Sequence, residues 1–407
     1  MKVLQINVTA NSGSTGKIAE QIGKLVMAKG WQSFIAYGRY ADPSESDLIR
    51  IGTKWDIMKH GIESRLLDNH GLASRRATNA FIKQIEEIKP DIIHLHNIHG
   101  YYLNYQLLFE YLSKLNTPIV WTLHDCWSFT GHCAYFDFAK CEKWRSACCP
   151  PCPCKKNYPT ALIADRSKKN WEAKQHCFTS IKNMIIIPVS NWLGSLTQQS
   201  FLNQYPIRVI HNGIDLNIFL PTEDVKAIKK KYSITGKYTI LGVANVWEER
   251  KGIADFIRLR KILPQEYSIV LVGISKKQKS LLPKSIIGIQ HTQDQAELAE
   301  LYSAANVFMN PTYEDNYPTT NLEAIACGTP VVTYNTGGSP ESICNDTGIV
   351  VEQGDINGLA EAIQGVCKKG KDLYKEKCRT WAEQHFDMHQ CFEEYIHLYK
   401  EIVSQKG

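Results

Sequence analysis

The feature that most constrains this chain is an alternation, carried along nearly its whole length, of short apolar runs and longer stretches with helical spacing. The apolar runs fall at 3–8, 33–37, 91–96, 118–123 and 184–190, then at 238–244, 267–272, 307–309, 330–332 and 348–351. Strands buried on both faces read as continuous apolar runs, and parallel neighbours need a crossover of about a dozen residues, which a helix supplies. The alternation therefore predicts an α/β chain of parallel sheets with right-handed crossovers. Helical structure is expected over 56–88, a strand and turn over 207–215, and a last helix from about 381. The pattern pauses near 205–235 and restarts, and 407 residues leave room for two or three domains. Two doubly wound domains are expected, facing a cleft lined by the C-terminal ends of their strands. The first is placed at 1–205 and the second at 206–380, with the helix 381–405 packing back on the first.

Chemistry concentrates where those strands end. The stretch Tyr313-Glu314-Asp315-Asn316-Tyr317-Pro318-Thr319-Thr320-Asn321-Leu322-Glu323 reads as a turn that opens a helix, closed by Gly328 before the next strand. Amides around Pro318, Thr319 and Thr320 are first-turn donors, which suit an anionic phosphate. Asp315 and Glu323 add two carboxylates beside them, with Asn316 a further donor-binding candidate, so the stretch fits a nucleotide sugar. Near the N-terminus, Asn11-Ser12-Gly13-Ser14-Thr15-Gly16-Lys17 joins a strand to a helix. Gly13 and Gly16 suit a phosphate loop, and equally a turn that needs small residues. Asn11 and Ile18 stand where a P-loop needs Gly and Ser or Thr, and the dinucleotide fingerprint is absent.

His94, His96 and His99 gather at one strand end, as pocket groups or as structural ones. His124 and Asp125 end the next strand, where such a pair serves as a general base, an oriented donor or a structural contact. Arg250 and Lys251 precede a helix. They could clamp a diphosphate, or be two exposed cations.

The chain has 13 cysteines, seven of them from Cys126 to Cys154 in an insert at 126–158. Cys133, Cys141, Cys149 and Cys152 could hold a structural zinc ion. Free thiols and disulfides are the other readings. Residues 1–8 read as a first strand rather than an apolar leader, and no run approaches the ~18 apolar residues of a membrane span. A cytoplasmic location is expected, with peripheral contact at the inner face of the cytoplasmic membrane; Arg75 and Arg76 are weak candidates for that contact. The net charge of +6 forms no basic arm or aromatic-interleaved stripe, so no nucleic acid is expected as partner.

Taken together these segments resemble the family 4 retaining glycosyltransferases, which have the two-domain GT-B fold. The resemblance spans nearly the whole chain and rests most on Leu322-Glu323-Ala324-Ile325-Ala326-Cys327-Gly328-Thr329-Pro330-Val331-Val332. His211-Asn212-Gly213-Ile214-Asp215 and Arg250-Lys251-Gly252 match other family segments. Trp121-Thr122-Leu123-His124-Asp125-Cys126-Trp127, Thr130-Gly131-His132-Cys133 and Cys149/Cys152 are similar to a subgroup that builds bacterial colanic acid, capsule and O-antigen.

The resemblance implies transfer of a hexose from a nucleotide-diphosphate sugar to a lipid-linked polysaccharide unit, with retention and without a catalytic cofactor. Glu323 would hold the ribose, and Arg250 and Lys251 the leaving diphosphate, assisted by the Gly13–Gly16 loop and the amides near Pro318. His124 would sit near the transferred sugar. The family signature has two Glu with seven residues between them; here Asp315 takes the first place, with Glu314 one position out of register, so Asp315 is assigned to the sugar hydroxyls, with Glu314 as the alternative contact or a structural residue. No Asp-x-Asp, the metal-anchoring motif of the other glycosyltransferase fold, occurs in the chain. A nucleotide-sugar epimerase on the same fold and a non-enzymatic zinc-knuckle interaction protein are the rival readings.

Overall fold

The computed structural model describes residues 1–148 and 150–404. They divide into two compact units, Met1–His211 with the chain from Phe392 on, and Asn212–Cys391. Each unit is a six-stranded sheet in which every pair is parallel.

The first sheet holds β1 (Lys2–Asn7), β2 (Gln32–Tyr37), β3 (Asp47–Arg50), β4 (Ile92–Leu95), β5 (Ile119–Leu123) and β6 (Met184–Pro188), in the spatial order β3-β2-β1-β4-β5-β6. The second holds β7 (Tyr238–Val243), β8 (Tyr267–Val272), β9 (Ile286–Ile289), β10 (Val307–Asn310), β11 (Val331–Tyr334) and β12 (Gly348–Val351), in the order β12-β11-β10-β7-β8-β9. The two orders describe one topology. Each starts in the middle, winds one way for three strands, then returns to the middle and winds the other way. The crossovers on either side of the first strand leave in opposite directions, so a crevice opens beyond the ends of β1 and β4, and of β7 and β10.

The expected α/β class is what the chain adopts. Hydrophobic burial on both faces drives it, with β4 and β5 buried throughout. The core of the first unit is aromatic: Phe178 packs against Phe109 and Trp121 with ring centroids 4.6 and 4.9 Å apart.

One expectation of local structure is refined and two are corrected. The helical stretch 56–88 is two helices, Lys54–Leu67 and Arg75–Ile88. Asp68 ends the first in the left-handed region (φ 52°), and its carboxylate is taken by His132 Nδ1 at 2.6 Å and by the Arg166 amide at 2.7 Å. Helical spacing continues through the break; the break comes from partners far along the chain. Residues 207–215 form two isolated bridges, Ile186 with Ile207 and Ile214 with Asp387, rather than a strand. The last helical stretch is interrupted at Phe386 and Asp387, between the helices Asp372–His385 and Met388–Ser404. Among the described residues no helix is long and apolar enough to cross a membrane.

Candidate active site

In the second unit the loops after β7 and β10 are laced together. The Arg250 carbonyl accepts from the Tyr313 amide at 2.7 Å, and Arg250 Nη1 donates to the Glu314 carbonyl at 3.1 Å. Lys251 Nζ donates to Asp315 Oδ2 at 2.5 Å. Gly252 makes the approach possible: with φ at +71°, an added Cβ would lie 2.1 Å from the Pro311 carbonyl oxygen. Gly337 does the same from the loop after β11, where φ is +56° and a Cβ would lie 1.9 Å from the Asp315 carbonyl oxygen. Arg250, Lys251 and Asp315 are thus one cluster, each partly exposed. Glu314 is buried and turns its carbonyl to Arg250.

Pro318 caps the helix Thr319–Ala326 and has no N–H of its own. Thr319 and Thr320 form its first turn, whose amides have no partner within the helix. Asn316 is buried, its amide donating to Asp315 Oδ1 at 3.0 Å. The helix is held at this angle by Asn321, which accepts from Asn310 and donates to the Ser339 and Ser342 hydroxyls. Glu323, one turn on, accepts a hydrogen bond from the Tyr302 hydroxyl at 2.9 Å. Tyr302 is fully buried. Burial, with Glu323 beside it, pushes its phenol well above the ordinary value, so it stays a donor.

The first unit assembles a different kind of site. Asn7 ends β1 and ties two loops: its Nδ2 donates to the Thr9 carbonyl at 2.9 Å, and its Oδ1 accepts from the Asn97 amide at 3.3 Å. Gly13 is exposed with φ +66° and open space beside it, whereas Gly16 is buried against Thr9, 2.7 Å from where its Cβ would be. His96 and His124 follow β4 and β5 and are joined, Nδ1 to Nε2, at 3.1 Å. His94 lies between the Thr122 and Tyr399 hydroxyls, 2.7 and 2.5 Å away.

Burial holds these rings neutral at pH 7. His94 falls to about 3, His124 to about 4, with Asp125 pulling the other way, and His96 well below its ordinary value. For Asp125 burial would raise the carboxyl, but the His99 ring 3.0 Å away, together with the Trp127 amide at 2.9 Å, outweighs it and holds the carboxyl below the usual range. A small cavity of about 10 Å³ lies among His96, His99, His124, Asp125 and Trp127. The contrast between the units is chemical: the second offers cations and helix amides, the first neutral rings and hydroxyls.

The insert packs around Trp144, with Phe136 and Phe129 at 5.1 and 5.3 Å. Cys133, Cys141, Cys148 and Cys152 share the lining of a cavity of about 20 Å³, and none of the described cysteines is joined in a disulfide. Among the described residues no three His, Cys, Asp or Glu side chains are grouped to hold a metal ion. Cys149, one of the four expected zinc ligands, lies outside the described residues.

Reading along the chain missed Gln5, Asn7 and Tyr302. The first two left a signal, polar residues inside the apolar strand Val3-Leu4-Gln5-Ile6-Asn7. Tyr302 left none.

Comparison with known proteins identifies the fold and the family. The chain is 24% identical to the colanic acid biosynthesis glycosyl transferase WcaC of Escherichia coli K12, over 99% of this chain and 100% of that one. Its fold matches the sucrose-phosphate synthase of Thermosynechococcus elongatus with a TM-score of 0.72 at 18% identity, over 99% of both chains. It also matches Anabaena HepE, solved in complex with UDP-glucose, with a TM-score of 0.66 at 14% identity, over the whole of both. Residues 224–386 match the family Glycosyl transferases group 1, and residues 18–218 match Glycosyltransferase Family 4. With most of its length taken in by these two matches, the chain belongs to the family 4 glycosyltransferases and has the GT-B fold.

Proposed function

We propose that this enzyme transfers a hexose from a nucleoside-diphosphate sugar to a growing, lipid-linked surface polysaccharide, with retention and without a metal in the chemical step. The observation that carries the proposal is the cluster of Arg250, Lys251 and Asp315 beside the first turn of the helix Thr319–Ala326, with Glu323 held by Tyr302 on that same helix. A diphosphate needs cations and amide donors; a ribose needs a carboxylate that accepts from two hydroxyls.

In such a transfer the transition state is oxocarbenium-like, and charge builds on the departing diphosphate. Arg250 and Lys251 neutralise it, with the amides of Thr319 and Thr320. Asp315 keeps Lys251 oriented before the donor arrives and is available to the sugar hydroxyls when phosphate takes the ammonium. In the first unit the Gly13–Gly16 loop assists at the phosphates, and His124 serves the transferred sugar. The acceptor and a peripheral membrane contact on the cytoplasmic side are proposed from the likeness to polysaccharide enzymes such as WcaC.

The test incubates the purified enzyme with UDP-, GDP- and ADP-hexoses, a lipid-linked acceptor extract and excess EDTA, and follows the anomeric configuration of the product by NMR. Retained configuration with EDTA-insensitive transfer is expected. Inversion, or loss of transfer on chelation, would overturn the corresponding part. A sugar altered without acceptor would make the enzyme an epimerase instead. We also propose a structural zinc in the insert, held by Cys133, Cys141, Cys149 and Cys152: three of them line one cavity without being drawn together as a metal site, and zinc would gather them. Elemental analysis of the purified chain is expected to find one zinc per molecule, and a metal-free result removes it.

A further inference from the structure

Gln5 is a polar residue in a buried apolar strand, with no exposed surface. A buried amide must find partners, and those of Gln5 carry directional information. Its Nε2 donates to the Ala19 carbonyl at 2.8 Å. A backbone carbonyl only accepts, so the amide nitrogen must face Ala19. The amide oxygen then faces His96 Nε2, 3.0 Å away. That oxygen also only accepts, so His96 carries its proton on Nε2. In a neutral imidazole the other nitrogen is an acceptor. His96 Nδ1 therefore accepts, and the group against it at 3.1 Å is His124 Nε2. His124 must supply that proton.

Three hydrogen bonds thus donate in one direction: His124 to His96, His96 to Gln5, and Gln5 to Ala19. The row crosses β5, β4 and β1, adjacent strands of one sheet, with His124 and His96 just past the ends of β5 and β4 and Gln5 within β1. The His96 and His124 rings are 18° from coplanar with centroids 5.4 Å apart, as an in-plane N–H···N bond requires. His94 lies against His96 at 4.0 Å, and burial keeps all three rings neutral, so the one-proton argument holds at pH 7. Of the two imidazoles in the row only His124 is partly exposed.

We propose that Gln5 and His96 are positioning residues that hold His124 in its Nε2–H tautomer. Nδ1 becomes the acceptor nitrogen, so His124 takes a hydrogen bond from a sugar hydroxyl and refuses an ionised phosphate oxygen, which has no proton to give. This deepens the proposed role of His124 and rests on it only for the identity of the hydroxyl.

The experiment is long-range ¹H–¹⁵N NMR on the ligand-free full chain labelled at histidine nitrogen, with His124 assigned by its loss in His124→Gln. At pH 7.5 the wild type is expected to show His124 with a protonated Nε2 and a bare Nδ1. Gln5→Met keeps the length and removes the acceptor. His124 should then move toward a mixture of tautomers, and sugar transfer should slow about five- to tenfold, with nucleotide binding unchanged. A bare Nε2 in the wild type, or a Gln5→Met spectrum identical to wild type, would overturn the proposal. Should Gln5→Met fail to fold, the wild-type spectrum decides alone, because the direction of the row is a property of the native chain. The spectrum needs no turnover, so a chain that transfers no sugar yet shows this tautomer would sink the functional reading and leave the relay standing.

Discussion

Lys251 is the side chain on which the proposed chemistry turns, and the structure shows what it does before any donor arrives. Its ammonium sits 2.5 Å from Asp315 Oδ2, with both groups mostly covered. Replacing it should act on the transition state more than on donor binding, because charge on the diphosphate grows as the glycosidic bond breaks. Lys251→Ala is expected to lower kcat more than about tenfold at saturating donor; unchanged turnover would remove the clamp. Tyr302 makes a milder case. Its hydroxyl donates to Glu323 at 2.9 Å, and losing one such bond to a charged group costs about 1.5–3 kcal/mol when the acceptor cannot be rehydrated. Glu323 is partly exposed, so water recovers part of this. Tyr302→Phe should weaken donor binding about tenfold by calorimetry. An affinity equal to wild type would mean that Glu323 needs no support.

At the scale of elements, the second site depends on three loops that touch only because glycines let them. Gly337 is the tightest, with its missing Cβ 1.9 Å from the Asp315 carbonyl oxygen and a φ of +56°. Gly337→Ala combines a steric clash with left-handed backbone, about 1–3 kcal/mol for the backbone alone. It should lower the urea midpoint and transfer activity together, whereas Gly13→Ala, with open space around it, should cost less stability. Equal midpoints for the two variants would contradict this. The loop Asn335-Thr336-Gly337-Gly338 was legible as a glycine turn from its residues; that it closes on Asp315 was not. In the same way, Asp68-Asn69-His70-Gly71 carries turn chemistry inside a helical pattern, and the pattern hides it. Asp68 leaves the helix to reach His132, 64 positions away.

For the whole molecule, the neutral histidines predict how stability follows pH. His60 and His94 fall to about 4 and about 3 through burial, from 6.5 in an exposed chain. Between those limits the unfolded chain binds protons that the folded chain refuses, so stability must fall as pH drops below 6.5 and is indifferent to these groups above it. Each ring should contribute about 1 kcal/mol of loss between pH 7.5 and 5.5. Urea denaturation at those two values checks it; Asp137, pushed up to about 6 by burial, takes a proton in the folded chain over the same range and offsets part of the loss. A midpoint that rises or stays level on acidification would show that the rings take protons in the native state.

What the sequence by itself determined was the class of the fold, the twofold repetition of the pattern, and the candidate groups at the strand ends. These follow from local regularities: apolar runs too short for helices, helical spacing between them, glycines and cations at their ends. What only the tertiary structure decided was partnership. Lys251 meets Asp315 across 64 positions, Gln5 meets His96 across 91, and His94 meets Tyr399 across 305. A side chain's protonation and orientation depend on which strands lie side by side and how deeply they bury it, and strand order is a property of packing between elements rather than of any stretch of sequence.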